Sequence, residues 1–79
     1  MRQRMIPVNV MTDTKGNPSK LKGPRKPVNV RRIIDAWRYG GRWWLSEPPR
    51  DYFLLELDSG HVIEVFRADE RWVLSRVAD

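Results

Sequence analysis

Lys15, Lys20, Lys22, Arg25 and Lys26 crowd a stretch, residues 15–26, that contains no acidic side chain. Lysine and arginine at this density suit a phosphate backbone, because they displace its condensed counterions. Arg31, Arg32, Arg38 and Arg42 can prolong the stripe along a strand. Exposed Tyr39, Trp43 or Trp44 can offer flat faces on which unpaired bases stack. With Tyr52, these aromatics also form a candidate protein-docking surface. In the plainer alternative Trp37, Trp44 and Trp72 belong to a core and the lysines keep a loop solvated.

The distribution of charge sharpens the contrast between the two halves of the chain. Residues 1–32 hold nine Lys/Arg against the single acid Asp13, a balance of +8. Residues 33–79 hold six Arg against nine Asp/Glu, a balance of −3. A basic half joined to a mildly acidic one fits contact with nucleic acid, an acidic partner or a second copy of itself.

Other chemistries find little material. His61 is the only histidine and there is no cysteine, so disulfides, thiolate sites and a cysteine nucleophile are excluded, and no set of zinc ligands is spaced to converge. Acid pairs such as Asp58/Glu64 and Asp69/Glu70 fall in turns or on an outer strand face. No phosphate loop or hydrolase motif is present. The expectation is a protein without catalytic residues, cofactor or metal. "MRQRMIPVNV" has no apolar core of a signal peptide, and no run nears the ~20 apolar residues of a spanning helix. A cytoplasmic location with no membrane contact is expected.

The elements that must position these residues read as mostly β. The 79 residues suffice for one small domain. Ile6, Val8 and Val10 alternate as a strand with Pro7 near its start. Residues 12–26 read as a basic, mobile loop reversing at Gly16-Asn17-Pro18. "PVNV" at 7–10 and again at 27–30 marks two similar strand starts. Residues 29–39 can be read as a helix capped by Asn29 and stopped by Gly40. Their β-branched density favours a strand with a bend or bulge near Asp35, placing Val28, Val30, Ile34 and Ala36 on one face and Ile33 and Trp37 on the other.

The C-terminal runs "DYFLLEL", "HVIEVF" and "RWVLSRV" form a meander. With Asp58-Ser59-Gly60 as a three-residue turn and Gly60 left-handed, Leu57 faces His61, Leu55 faces Ile63 and Phe53 faces Val65. That register gathers Phe53, Leu55, Leu57, Ile63 and Val65 on one side; Trp72 and Leu74 join them, while Arg71, Ser75 and Val77 point away. The prediction is a small antiparallel meander of about five to six strands, strongly twisted or a partial barrel. Residues 27–79 form its main sheet, and aromatics between 37 and 44 cover it. If extended, Trp43 and Trp44 point to opposite faces, so at most one enters a core.

Val30, Trp37-Arg38, Trp43-Trp44, "EPPRDYF" at 47–53, Gly60, "EVFR" at 64–67, Trp72 and Asp79 follow a recognisable pattern. The chain resembles a small bacterial domain of unknown function found at the C-terminus of ImuB-type, Y-family DNA polymerase-like proteins and as short free-standing proteins. The likeness is tightest over residues 30–79. It implies a β-rich accessory module associated with DNA repair and translesion synthesis, acting on a Y-family polymerase-like protein in trans, and it supplies no activity. The alternative is a nucleic-acid-binding module on single-stranded or duplex DNA, using the basic loop and the aromatics. A homodimer through exposed aromatics is a third arrangement.

Overall fold

The computed structural model describes residues 2–22 and 26–78, with backbone alone for residues 2–4 and 43; Arg25 and the Trp43 side chain therefore lie outside the described residues. Six antiparallel strands follow in chain order: β1 (Arg2–Thr12), β2 (Pro18–Lys22), β3 (Pro27–Tyr39), β4 (Arg50–Leu57), β5 (Val62–Ala68) and β6 (Arg71–Ala78). They close into a small barrel. Closure depends on β1, whose first part pairs with β6 from Arg2 to Val8 and whose last part pairs with β2 from Asn9 to Thr12.

The interior is filled by side chains, as a narrow barrel requires. Leu21, Leu55, Leu57, Ile63, Val65 and Trp72 are buried there, with Val8, Val10, Val28, Val30, Phe53, Leu74 and Val77 packed around them. The expected register of the β4–β5 hairpin is found: Leu55 faces Ile63 and Phe53 faces Val65. Leu57 N–H donates to His61 O at 2.9 Å, and Gly60 takes φ +90° at the bulge position. The next hairpin turns on Asp69 and Glu70, both at positive φ, a geometry that follows the right-handed twist of its strands.

Three expectations change. Residues 12–26 are not simply a loop, because Pro18–Lys22 is a strand with Pro18 and Leu21 buried. Its composition reads as a turn; pairing with β1 on one side and β3 on the other makes it a strand. The reversal before it does sit at Gly16 (φ +85°), held by Asp13 Oδ1, which accepts from Lys15 N–H at 2.8 Å and Asn17 N–H at 2.9 Å.

Val77 packs on the core instead of pointing away. The β5–β6 register shifts between Glu64 and Val65, leaving Ser75 as an extra residue that restores inward parity at 77. Ser75 is itself buried, its hydroxyl 2.6 Å from Glu64 Oε2.

Among the described aromatics near 37–44, Trp37, Tyr39 and Trp44 stay exposed and do not cover the sheet, which covers itself by closing. Trp72 is 9 % exposed and belongs to the core, whereas Trp37 and Trp44 are 40 % and 63 % exposed. Residues 43–45 form a short 3-10 turn rather than an extended strand.

β3 is a strand throughout, and its pairing with β4 shifts twice, at Val30/Arg32 and Ile33/Asp35. The shift beside Asp35 falls where a bulge is expected. The first shift sets Ile33 opposite core-facing Leu55, so it does not share a face with Trp37, contrary to expectation. The second restores the alternation, leaving Ala36 opposite core-facing Phe53 and Trp37 outward opposite Tyr52, on the expected side away from Val30.

Candidate functional site

The outer surface of β3, β4 and β5 carries a ladder of rings. Directly paired residues share a face, so Trp37, Tyr52 and Phe66 stand side by side on neighbouring strands. Trp37 stacks on Tyr52 with centroids 5.3 Å apart and planes 1° from parallel. Tyr52 meets Phe66 at 5.2 Å with a tilt of 43°. The Arg50 guanidinium lies 4.6 Å above the Phe66 ring and donates to Tyr52 OH at 3.2 Å. Phe66 is thereby buried on the outside of the barrel, while Trp37 remains half open to solvent.

Trp37 and Tyr52 floor an open groove of about 570 Å³, lined also by Arg38, Tyr39, Arg42, Glu47, Arg50, Glu64 and Arg76. One wall is the 40–49 loop. Gly41 turns it at φ +75°, and Arg42 then clamps Glu47: its Nε and Nη2 donate to Oε1 at 3.0 and 2.6 Å, and its N–H donates to Oε2 at 3.2 Å. The hydrogen bond from Arg42 holds the Glu47 carboxyl below the usual glutamate range, against a smaller opposing effect of desolvation. Glu56 is lowered in the same way, chiefly by its hydrogen bond from Arg32.

Both depressed carboxyls contribute stability that is present above the ordinary glutamate range and is lost as pH falls through their lowered values. Carboxyl NMR titration is expected to find Glu47 and Glu56 ionising below a model glutamate, with Glu47 returning to the ordinary range in Arg42→Gln. An unshifted Glu47 in the native chain rules the clamp out.

The arginines expected to track phosphate are paired within the chain. Arg31 Nε lies 3.8 Å from Asp58, Arg32 Nε 2.7 Å from Glu56, Arg38 Nε 3.2 Å from Asp51 and Arg42 Nη2 2.6 Å from Glu47. Asp51 also meets Arg67 at 3.5 Å, and Arg76 meets Glu64 at 3.7 Å. Exposed pairs of this kind are individually weak, but they offset the positive potential along β3.

Lys15, Lys20, Lys22 and Lys26 have no ion-pair partner among the described residues. Lys20, Lys22 and Lys26 lie by the start of β3, and Lys15 sits in the β1–β2 turn. Lys20 faces Asn29, and Trp37 stands eight residues further along the strand, roughly 26 Å away at ~3.3 Å per residue. The fold therefore brings Tyr39, Tyr52, Arg38 and Arg42 to one groove, whose lining includes none of these lysines. Trp44 is exposed in the 3-10 turn.

The alternative that made Trp37 core is not met, and the candidate set left out Arg50, Phe66 and Arg76. Tyr52 and Phe66 were within reach, because the hairpin register that pairs Phe53 with Val65 also pairs their neighbours. So was the side of Trp37, which alternation sets on the face opposite Val28 and Val30; the two shifts cancel in parity and decide only that its partner across the strand is Tyr52.

Among the described residues no group of three His, Cys, Asp or Glu converges to hold a metal ion. His61 sits in the β4–β5 turn with Nδ1 2.9 Å from Ser59 Oγ. Comparison with protein-family models, with curated proteins and with solved structures gives no match.

Proposed function

We propose that this chain is a non-catalytic interaction module that docks on another protein through the Trp37–Tyr52 groove. The observation that carries this reading is a stacked, half-exposed tryptophan in a surface whose arginines are largely neutralised by the chain's own acids. Rigid aromatics beside arginine are what protein interfaces use as anchors. A phosphate track needs cations free to replace counterions. The resemblance over residues 30–79 makes a Y-family polymerase-like protein of the same cell, within DNA repair or translesion synthesis, the first partner to test.

A second reading rests on the lysines, which have no acidic partner among the described residues: Lys15, Lys20, Lys22 and Lys26 bind a nucleic-acid backbone, without help from the distant aromatics.

The two separate in one experiment. The dilute chain is titrated with the polymerase-like protein, and in parallel with single-stranded and duplex DNA, at low and moderate salt. Docking through the groove predicts that Trp37→Ala weakens protein binding at least tenfold, with little dependence on salt. Lys20→Glu with Lys22→Glu then has little effect. Saturable DNA binding that fades with salt and vanishes in the lysine variant, with no protein binding, overturns the docking proposal.

A further inference from the structure

Part of β3 forms an open edge of the sheet. Among the described elements β3 touches only β2 and β4, and β2 pairs with it only from Pro27 to Asn29. From residue 31 to 39 every residue is exposed. This length of β3 therefore has a neighbour on one side and solvent on the other.

The direction of its backbone groups follows from the hairpin. Leu57 N–H bonds His61, so residues 51, 53, 55 and 57 of β4 turn their N–H and C=O toward β5. Residues 50, 52 and 54 turn toward β3, where they face Tyr39, Trp37 and Asp35. Ala36 and Arg38 consequently present their backbone groups to the open edge. The side chain of Asp35 supports this assignment, because its Oδ1 accepts from Ala36 N–H at 2.8 Å. An edge donor that β4 does not use is held by the preceding carboxylate.

Between the last register shift and Gly40, the edge offers one regular stretch, Asp35 to Tyr39, centred on Trp37. We propose that a second copy of this chain pairs with this stretch antiparallel, about a two-fold axis at Trp37. Ala36 then exchanges backbone hydrogen bonds with Arg38 of the second copy, and Asp35 faces its Tyr39. The two Trp37 rings meet on the outer face and join the two Trp37–Tyr52–Phe66 ladders into one.

Other registers are poorer. An axis at Asp35 or at Arg38 sets like charges opposite one another. An axis at Ala36 draws in bulged Ile34, and one at Tyr39 runs past the strand's end. A contact of five residues a side is small, so the dimer forms only at high concentration, and its two-fold closure stops further growth.

The test is sedimentation equilibrium of the intact chain from micromolar to millimolar concentration, with amide NMR shifts at residues 35–39. The native chain is expected to pass from monomer to dimer. Asp35→Ala, which frees the Ala36 N–H, dimerises at lower concentration. Ala36→Pro removes a donor that β4 does not use, so it keeps the barrel and weakens dimerisation at least tenfold. If Ala36→Pro does not fold, Trp37→Lys takes its place by setting two charges on the axis. A native chain that stays monomeric at millimolar concentration overturns the proposal. So does a folded Ala36→Pro, or in its place a Trp37→Lys, that dimerises as well as the native chain.

Discussion

Leu55→Ala is expected to cost about 2–5 kcal/mol, the range for removing a buried leucine side chain. Leu55 is 0 % exposed, in the middle of β4, between Ile33 on one side and Ile63 on the other. Leu55 and Val65 are the largest fully buried side chains among the described residues. The barrel has no second layer that can move in to fill the space, because its own wall surrounds it. A chain of 79 residues has a total stability of roughly 4–12 kcal/mol at ordinary values per residue. Losing Leu55 therefore removes a large share and leaves a visible unfolded population. In urea the midpoint should fall at constant slope. Leu45→Ala, at a residue exposed in the 3-10 turn, is the control and should stay within about 0.5 kcal/mol. A loss below about 1 kcal/mol at Leu55 is incompatible with a filled barrel interior.

What the sequence made legible was the part governed by local chemistry. Gly60 at a left-handed position sets the β4–β5 register, and that register puts Leu55 and Val65 in the core before any tertiary information is used. The meander order follows from short turns. The choice of strand over helix for residues 29–39 followed from β-branched side chains. β2 was hidden because Leu21 is its one strongly apolar residue, and pairing from both sides makes it a strand. Val77 was misassigned because the extra residue at Ser75 reverses parity without a glycine to announce it.

The candidate groove was legible in part, since bulges decide its cross-strand partners but not the side of Trp37. Tyr52 was in the aromatic set and alternation already set Trp37 on the face opposite Val30, but that the two rings stand across from each other depends on two register shifts in β3. The pairing of Arg32, Arg38 and Arg42 with Glu56, Asp51 and Glu47 was equally hidden. The first two pairs are cross-strand neighbours that exist only in that register. The third closes a loop whose turn is not evident from "GGRWWLSEPP". Charge counted along the chain therefore overstated the positive character of β3.

Gly41→Ala is expected to have the largest effect outside the core, about 2–3 kcal/mol when left-handed strain and a backbone collision combine. The backbone at Gly41 has φ +75°, and an added Cβ would lie 2.8 Å from Glu47 O and 2.9 Å from Pro48 O. Both are carbonyl oxygens, so no side chain can swing away to relieve the contact. Gly60, at φ +90°, has open space around the same position, so Gly60→Ala should show the strain alone, about 1–2 kcal/mol. The difference between the two variants isolates the collision. Its structural consequence is local: pushing residues 47–48 away opens the Arg42–Glu47 clamp, and the Glu47 carboxyl should rise toward the ordinary glutamate range. Amide shifts should then move across 40–50 while those of Leu55, Ile63 and Val65 stay in place. If Gly41→Ala matches Gly60→Ala in stability and leaves Glu47 unshifted, the close approach at Gly41 does not hold the loop. If it loses the clamp but keeps the core, the groove and the barrel are separable, and binding can be tuned from the loop without unfolding the sheet.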